Sequence, residues 1–149
     1  MQKLDLHDTM KDVMAAIGNV REAGKVGVVG YCWGGTVAWA SATRLDDVVT
    51  AVGYFGGGIG GLVGEKPRCP VMLHFGDQDP SIPMDVVAKV KAAHPTLPIY
   101  VYHAGHGFNA TLAAPIMRKA RSELWDARST SSSSMSAEPT AGLGDRDEK

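Results

Sequence analysis

A thiol sits between glycines in Gly30-Tyr31-Cys32-Trp33-Gly34-Gly35, directly after the apolar run Val26-Gly27-Val28-Val29. A nucleophile-type side chain at the end of a short β-branched run, flanked by glycine, is the pattern of a strand that turns sharply into a helix. Such an elbow holds one side chain strained and exposed. Glycine is expected on both sides of the thiol, at Gly30 and Gly34, because a Cβ there would meet the neighbouring strand or helix. Free cysteine is most often buried and inert, but the flanking glycines and the helix-compatible stretch Thr36 to Thr43 favour a nucleophile at Cys32. A dinucleotide or phosphate loop does not fit, since neither the G-x-G-x-x-G nor the P-loop spacing is met and no Lys-Ser/Thr pair follows.

A neutral thiol is a weak nucleophile near neutral pH and needs a base or a cation beside it. His106, in Ala104-Gly105-His106-Gly107-Phe108, can take the proton, and Asp79, in Gly76-Asp77-Gln78-Asp79-Pro80, can fix the imidazole tautomer and stabilise the imidazolium. His74 and His103 read as strand residues and His94 as a helix end, whereas His106 lies in a glycine-flanked loop. Asp79 is favoured over Asp77, which reads as the cap of the turn. The chain order of nucleophile, acid and histidine is that of α/β-hydrolases. At the start of the helix after the thiol, the backbone N–H of Trp33 is the expected oxyanion donor, while its indole reads as packing. Cys69, before Pro70, reads as structural.

These groups need a scaffold, and 149 residues suffice for one sizeable core. Fifteen basic and 16 acidic residues give a net charge of -1, which argues against nucleic acid and anionic membrane surfaces as partners. Two cysteines, in neither a C-x-x-C nor a metal-ligand spacing, exclude a disulfide scaffold and imply no metal or cofactor. No secretory signal or membrane-length apolar stretch is visible, so the expected setting is cytoplasmic.

Leu6, Met10, Val13, Met14 and Ile17 recur at helical spacing, predicting an amphipathic helix that ends near Gly18-Asn19 or at Gly24. Strands are predicted at 25–29, 48–54, 71–75 and 99–103, and helices at 33–43 and 84–93. The run Gly56-Gly57-Gly58-Ile59-Gly60-Gly61 reads as a mobile loop rather than a phosphate cradle, because no helix cap follows it. Alternation of strands and helices predicts an α/β fold with a mostly parallel sheet and flanking helices, whose ligands bind beyond the carboxyl ends of the strands. Cys32, Asp79 and His106 all lie just past such ends.

Together, Gly30-Tyr31-Cys32-Trp33-Gly34-Gly35, Gly76-Asp77-Gln78-Asp79-Pro80-Ser81-Ile82-Pro83 and Ala104-Gly105-His106-Gly107-Phe108 resemble the motifs of the dienelactone hydrolase (carboxymethylenebutenolidase) family. The resemblance covers about residues 5 to 109. It implies an α/β-hydrolase fold, here partial, with Cys32 as nucleophile, Asp79 as acid and His106 as base. It also implies a small-molecule lactone or ester substrate, with hydrolysis of dienelactone to maleylacetate in haloaromatic degradation as the family's reaction, no cofactor, and often a monomer.

Two departures from the family pattern stand out. The family has several strands before the elbow, whereas one helix precedes it here, so the sequence reads as an N-terminally truncated fragment. Neither the second oxyanion N–H, the arginine that grips the substrate carboxylate, nor the glutamate that controls the resting thiol has a matching position. At the other end, residues 1–110 read as the partial hydrolase domain and 111–149 as a divergent tail, serine-rich and expected to be disordered after about 128. Permitted codons for Arg128 to Glu138, read one frame over, spell Leu-Asp-Phe-Leu-Lys-Gln-His-Val-Gly and a stop, the kind of ending the family has. This suggests a frame shift soon after Asn109. Met117, Ala120, Leu124 and Trp125 would then form only a fortuitous helix, leaving an apolar surface poorly sealed and prone to association. Besides a thiol-dependent lactone or ester hydrolase, the sequence admits a catalytically impaired fragment and, more weakly, a redox-sensing cysteine.

Overall fold

The computed structural model describes residues 5–108. The expected boundary near 110 and the whole tail 111–149 lie outside the described residues. Helix α1 runs Leu6–Val20 and is capped by Asp5, whose carboxylate accepts from the backbone N–H groups of His7 at 2.8 Å and Asp8 at 3.1 Å. A 3-10 turn, Arg21–Ala23, carries the chain to Gly24 at φ 138. Met10 and Ile17 are buried, but Met14 is 57% exposed, so it leaves the expected apolar stripe: the part of α1 that meets the core is narrower than the sequence period suggests.

Four strands follow: β1 (Val26–Tyr31), β2 (Val48–Tyr54), β3 (Val71–Gly76) and β4 (Ile99–Tyr102), all parallel and in the order β1-β2-β3-β4. Strand β2 has the predicted bounds, β1 continues two residues beyond its predicted end, and β4 stops one residue short, placing His103 just past it. The register aligns Tyr31, Tyr54, His74 and Tyr100 in one row across the sheet. Their rings stack, with centroids 4.8 Å apart for Tyr31–Tyr54, 4.4 Å for Tyr54–His74 and 5.3 Å for His74–Tyr100. Such ring pairs add to area burial and help pin the register of the four strands. Strand β3 is buried along its whole length, whereas β1 alternates and leaves Val29 exposed.

Helix α2 (Trp33–Arg44) packs across β1 and β2 and is buried from Gly35 through Thr43, which explains why it is apolar on every side rather than striped. Trp39 is wholly buried, and its indole N–H donates to the Leu62 carbonyl at 3.3 Å. Helix α3 (Met84–Ala93), with its predicted bounds, starts after Pro83 and buries Val87 and Val90 one turn apart. The glycine run is not a loose loop: Gly57–Leu62 is a 3-10 helix. It is held by a hydrogen bond from the Gly58 N–H to Thr36 Oγ1 at 3.0 Å and by Ile59, which is completely buried. Burying an isoleucine contributes about 1.5–3 kcal/mol, which offsets part of the entropy that the glycines lose on ordering.

Close approach of α2 to the sheet depends on missing side chains, above all at the two glycines on either side of the thiol. A Cβ on Gly30 would overlap the Gly34 carbonyl, and one on Gly35 would lie 2.5 Å from the Tyr54 carbonyl oxygen and 3.1 Å from Gly56. At Gly34, by contrast, a Cβ meets nothing within 4 Å. The sequence expectation is thus corrected: the glycine required after the thiol is the third residue on, not the second. Gly35→Ala should lower unfolding free energy by about 2 kcal/mol or more through overpacking, whereas Gly34→Ala should be neutral or stabilise by up to about 1 kcal/mol through helix propensity. Urea unfolding of the two variants checks this, and equal destabilisation would contradict the packing described.

Candidate active site

Cys32 is the residue between β1 and α2, with φ 55 and ψ -118. Its N–H donates to the Tyr54 carbonyl at 3.0 Å, and its own carbonyl accepts from the N–H groups of Gly35 at 3.0 Å and Thr36 at 3.3 Å. Both backbone polar groups are therefore engaged, and they hold a non-glycine residue in a conformation that costs about 1–3 kcal/mol. The side chain is left exposed at the carboxyl edge of the sheet. Phe55, just past β2, is the other non-glycine residue with positive φ among those described, at 36.

His106 reaches this thiol from the loop after β4, with Nε2 3.2 Å from Cys32 Sγ. On its other side Nδ1 is 2.7 Å from Asp79 Oδ2. A carboxylate only accepts, so Nδ1 carries the hydrogen and Nε2 presents its lone pair to the S–H. Asp79 is buried, and its second oxygen accepts from the Ser81 N–H at 2.8 Å, so both carboxylate oxygens are fixed. The hydrogen bond to Asp79, and after it that to Cys32, raises the His106 pKa above its ordinary value. The structure thus brings Cys32, Asp79 and His106 into one hydrogen-bonded chain.

The neighbouring candidates lie elsewhere. Asp77 does not cap the turn: its carboxylate faces the exposed His103 at 3.2 Å, and the turn's side-chain bond is the one Asp79 receives from Ser81. His74 is wholly buried, hydrogen-bonded through Nδ1 to the Tyr102 hydroxyl at 2.8 Å, and burial pulls its pKa down to about 4. It is neutral at physiological pH, and its Nδ1 is engaged by Tyr102 rather than by the thiol. His94 caps α3, with Nε2–H donating to the Val63 carbonyl at 2.8 Å. Burial pushes the Cys69 thiol up, as suits a structural residue. Trp33 occupies the first position of α2, where an N–H has no intrahelical acceptor, while its indole packs against Met10, Val37 and Ala40.

One side chain that touches the site carries no reactive group and was not marked by the sequence. The Phe55 ring lies against the His106 ring, centroids 4.9 Å apart and planes at 63°, and against Phe108 at 5.3 Å. Phe55 follows a strand end just as Cys32, Asp79 and His106 do, and that position was the available signal. Among the described residues no group of three His, Cys, Asp or Glu is placed to hold a metal ion, and no helix is long and apolar enough to cross a membrane.

Because the folded pKa of His106 exceeds its unfolded value near 6.5, its pairing stabilises the fold fully below that pH and less as pH rises through the folded midpoint. NMR titration should place the His106 midpoint above 6.5, and Asp79→Asn should return it toward that value. A midpoint at or below the ordinary one, or one unmoved by the substitution, would contradict the pairing.

The likeness to known proteins agrees with this geometry. The model of the dienelactone hydrolase family matches residues 2–131. The carboxymethylenebutenolidase of Pseudomonas putida is 35% identical over 120 residues, covering 74% of this chain and 50% of that protein. Among solved structures, an esterase from Pyrococcus furiosus superposes with a TM-score of 0.66 at 15% identity, covering 85% of this chain and 65% of that one. An alpha-beta serine hydrolase homologue from Coxiella burnetii gives 0.57 at 17% identity, covering 83% and 60%. The chain spans about half the length of the curated relatives it matches. The parallel sheet with its strand-to-helix elbow is accordingly the α/β-hydrolase fold, and the chain belongs to the dienelactone hydrolase family.

Proposed function

We propose that the chain carries the reacting groups of a hydrolase for a carboxylic ester or lactone, with Cys32 as nucleophile, His106 as general base and Asp79 as the group that orients it. The observation behind this reading is the unbroken run of contacts from Sγ through Nε2 and Nδ1 to Oδ2, at 3.2 Å and 2.7 Å. Membership of the dienelactone hydrolase family supports the reaction class. A butenolide, the lactone in the name of the Pseudomonas putida relative, is the first substrate class to examine.

In this mechanism the Cys32 S–H proton passes to His106 Nε2 and the sulfur pair forms a bond to the substrate carbonyl carbon. The carbonyl π pair moves to oxygen, and the Trp33 N–H at the start of α2 donates to that oxyanion. On collapse the carbon–alkoxy oxygen bond breaks and the alkoxide takes the proton from the imidazolium, leaving a thioester on Cys32. In a lactone the alcohol so formed stays tethered to the acyl group. Water then loses a proton to His106 as its oxygen attacks the thioester carbon, and the Cys32 sulfur leaves and is reprotonated. Asp79 stays ionised throughout and holds Nδ1–H, so that Nε2 is the nitrogen that takes up and gives back the proton at each step.

Mixing the protein with an activated ester such as p-nitrophenyl acetate should release nitrophenol in a burst stoichiometric with protein and leave an acyl group on Cys32, seen by peptide mass spectrometry. Cys32→Ala should abolish the burst, and His106→Gln should slow acylation by about 10²–10⁴-fold. Absence of a burst from folded protein, or a burst that survives Cys32→Ala, would rule the mechanism out.

A further inference from the structure

Phe55 occupies a place where a glycine would be the least strained choice. The chain leaves β2 against the first turn of α2, with so little room that a Cβ on the next residue, Gly56, would lie 2.8 Å from the Gly35 carbonyl carbon and the Thr36 nitrogen. The turn that clears this contact gives Phe55 its φ of 36. Three glycines follow at Gly56, Gly57 and Gly58, yet the strained position itself carries a large ring. Its N–H donates to the His74 carbonyl at 2.7 Å, so the backbone is tied to β3, and the residue is 95% buried, with 5% of its surface exposed. Burial and the tied backbone together restrict the movement of the ring.

What it faces is the histidine loop. Phe55 meets His106 at 4.9 Å and Phe108 at 5.3 Å, both near 60° in plane angle, and Phe108 in turn meets Tyr102 at 5.1 Å. His106 is otherwise fixed by only two bonds, to Asp79 and to Cys32, which are also the only titratable groups hydrogen-bonded to it among the described residues. Those two bonds and the attachment through Cβ define the plane of the ring, but they hold it only while the loop after β4 stays in place. The Phe55 ring adds a further contact to the imidazole itself.

We propose that Phe55 is a positioning residue for His106: its ring, aimed by the strained turn after β2, holds the imidazole in the plane that reaches Asp79 and Cys32 together. The proposal rests on the hydrolase reading, in which His106 becomes an imidazolium beside that ring.

The test compares Phe55→Leu and Phe55→Tyr with the wild-type chain by NMR titration of His106 and by the rate of iodoacetamide alkylation at Cys32, with circular dichroism as the check on folding. In folded Phe55→Leu a looser bond to Asp79 should lower the proton affinity of His106 about two- to five-fold, and Cys32 alkylation at pH 7 should slow about ten-fold through lost orientation. Phe55→Tyr, which keeps the ring, should restore both. A folded Phe55→Leu protein with both quantities unchanged would overturn the proposal. In the wild-type chain, nuclear Overhauser contacts between the Phe55 ring and the His106 ring protons are expected, and their absence would overturn it whether or not either variant folds. Neither readout uses ester turnover, so a chain that shows these effects but gives no burst with an activated ester counts against the hydrolase reading and not against the contact.

Discussion

The first turn of α2 lies so near the ends of β1 and β2 that no side chain fits at Gly30 or Gly35. That backbone-to-backbone approach is the constraint on which the site depends. It forces the residue between strand and helix into positive φ, which turns the Cys32 thiol outward at the carboxyl edge of the sheet. It also dictates the route out of β2, where Phe55 takes up the second strained position. Loosening the contact at either glycine would move both residues at once, because Cys32 is bonded to the Tyr54 carbonyl and Phe55 is the next residue along.

Around this fixed point the remaining groups are held by progressively softer interactions. Asp79 is buried with both carboxylate oxygens bonded, so it behaves as part of the scaffold. His106 is more open and depends on that carboxylate, on the thiol and on the Phe55 ring. The gradient from rigid acid to adjustable histidine would suit the base of the proposed mechanism, which must exchange protons with a thiol, a leaving group and water while keeping one tautomer. The stacked row of Tyr31, Tyr54, His74 and Tyr100 lies across the same strands and keeps their ends level, so that loops from distant parts of the chain meet at one edge.

Much of this was legible in the sequence because it rests on local chemistry. Valine-rich runs bounded by glycine and proline marked the strands, and the bounds of β2 and α3 match the expectation residue for residue. The thiol between glycines, and the aspartate and histidine just beyond later strands, were recognisable from residue type and position alone. What escaped depends on contacts between distant segments. Whether Gly34 or Gly35 is sterically required follows from where Tyr54 and Gly56 pass, and no local pattern carries that. The ordering of Gly57–Leu62 comes from Thr36 and from burial of Ile59 against other elements, overriding the flexibility of its glycines. Asp77 and Asp79 differ by two residues, yet one faces an exposed histidine and the other is buried beneath His106. The aromatic wall at Phe55 escaped because attention to reactive residue types passes over a hydrocarbon ring.

The proposed mechanism requires His106 to offer an unprotonated Nε2 to the Cys32 thiol while Asp79 keeps the proton on Nδ1. Nitrogen chemical shifts of His106, recorded above its titration midpoint, distinguish the two neutral tautomers directly. This arrangement requires the Nδ1–H form, with Nε2 showing the shift of a bare ring nitrogen. An Nε2–H form would leave the imidazole unable to accept the thiol proton and would contradict it.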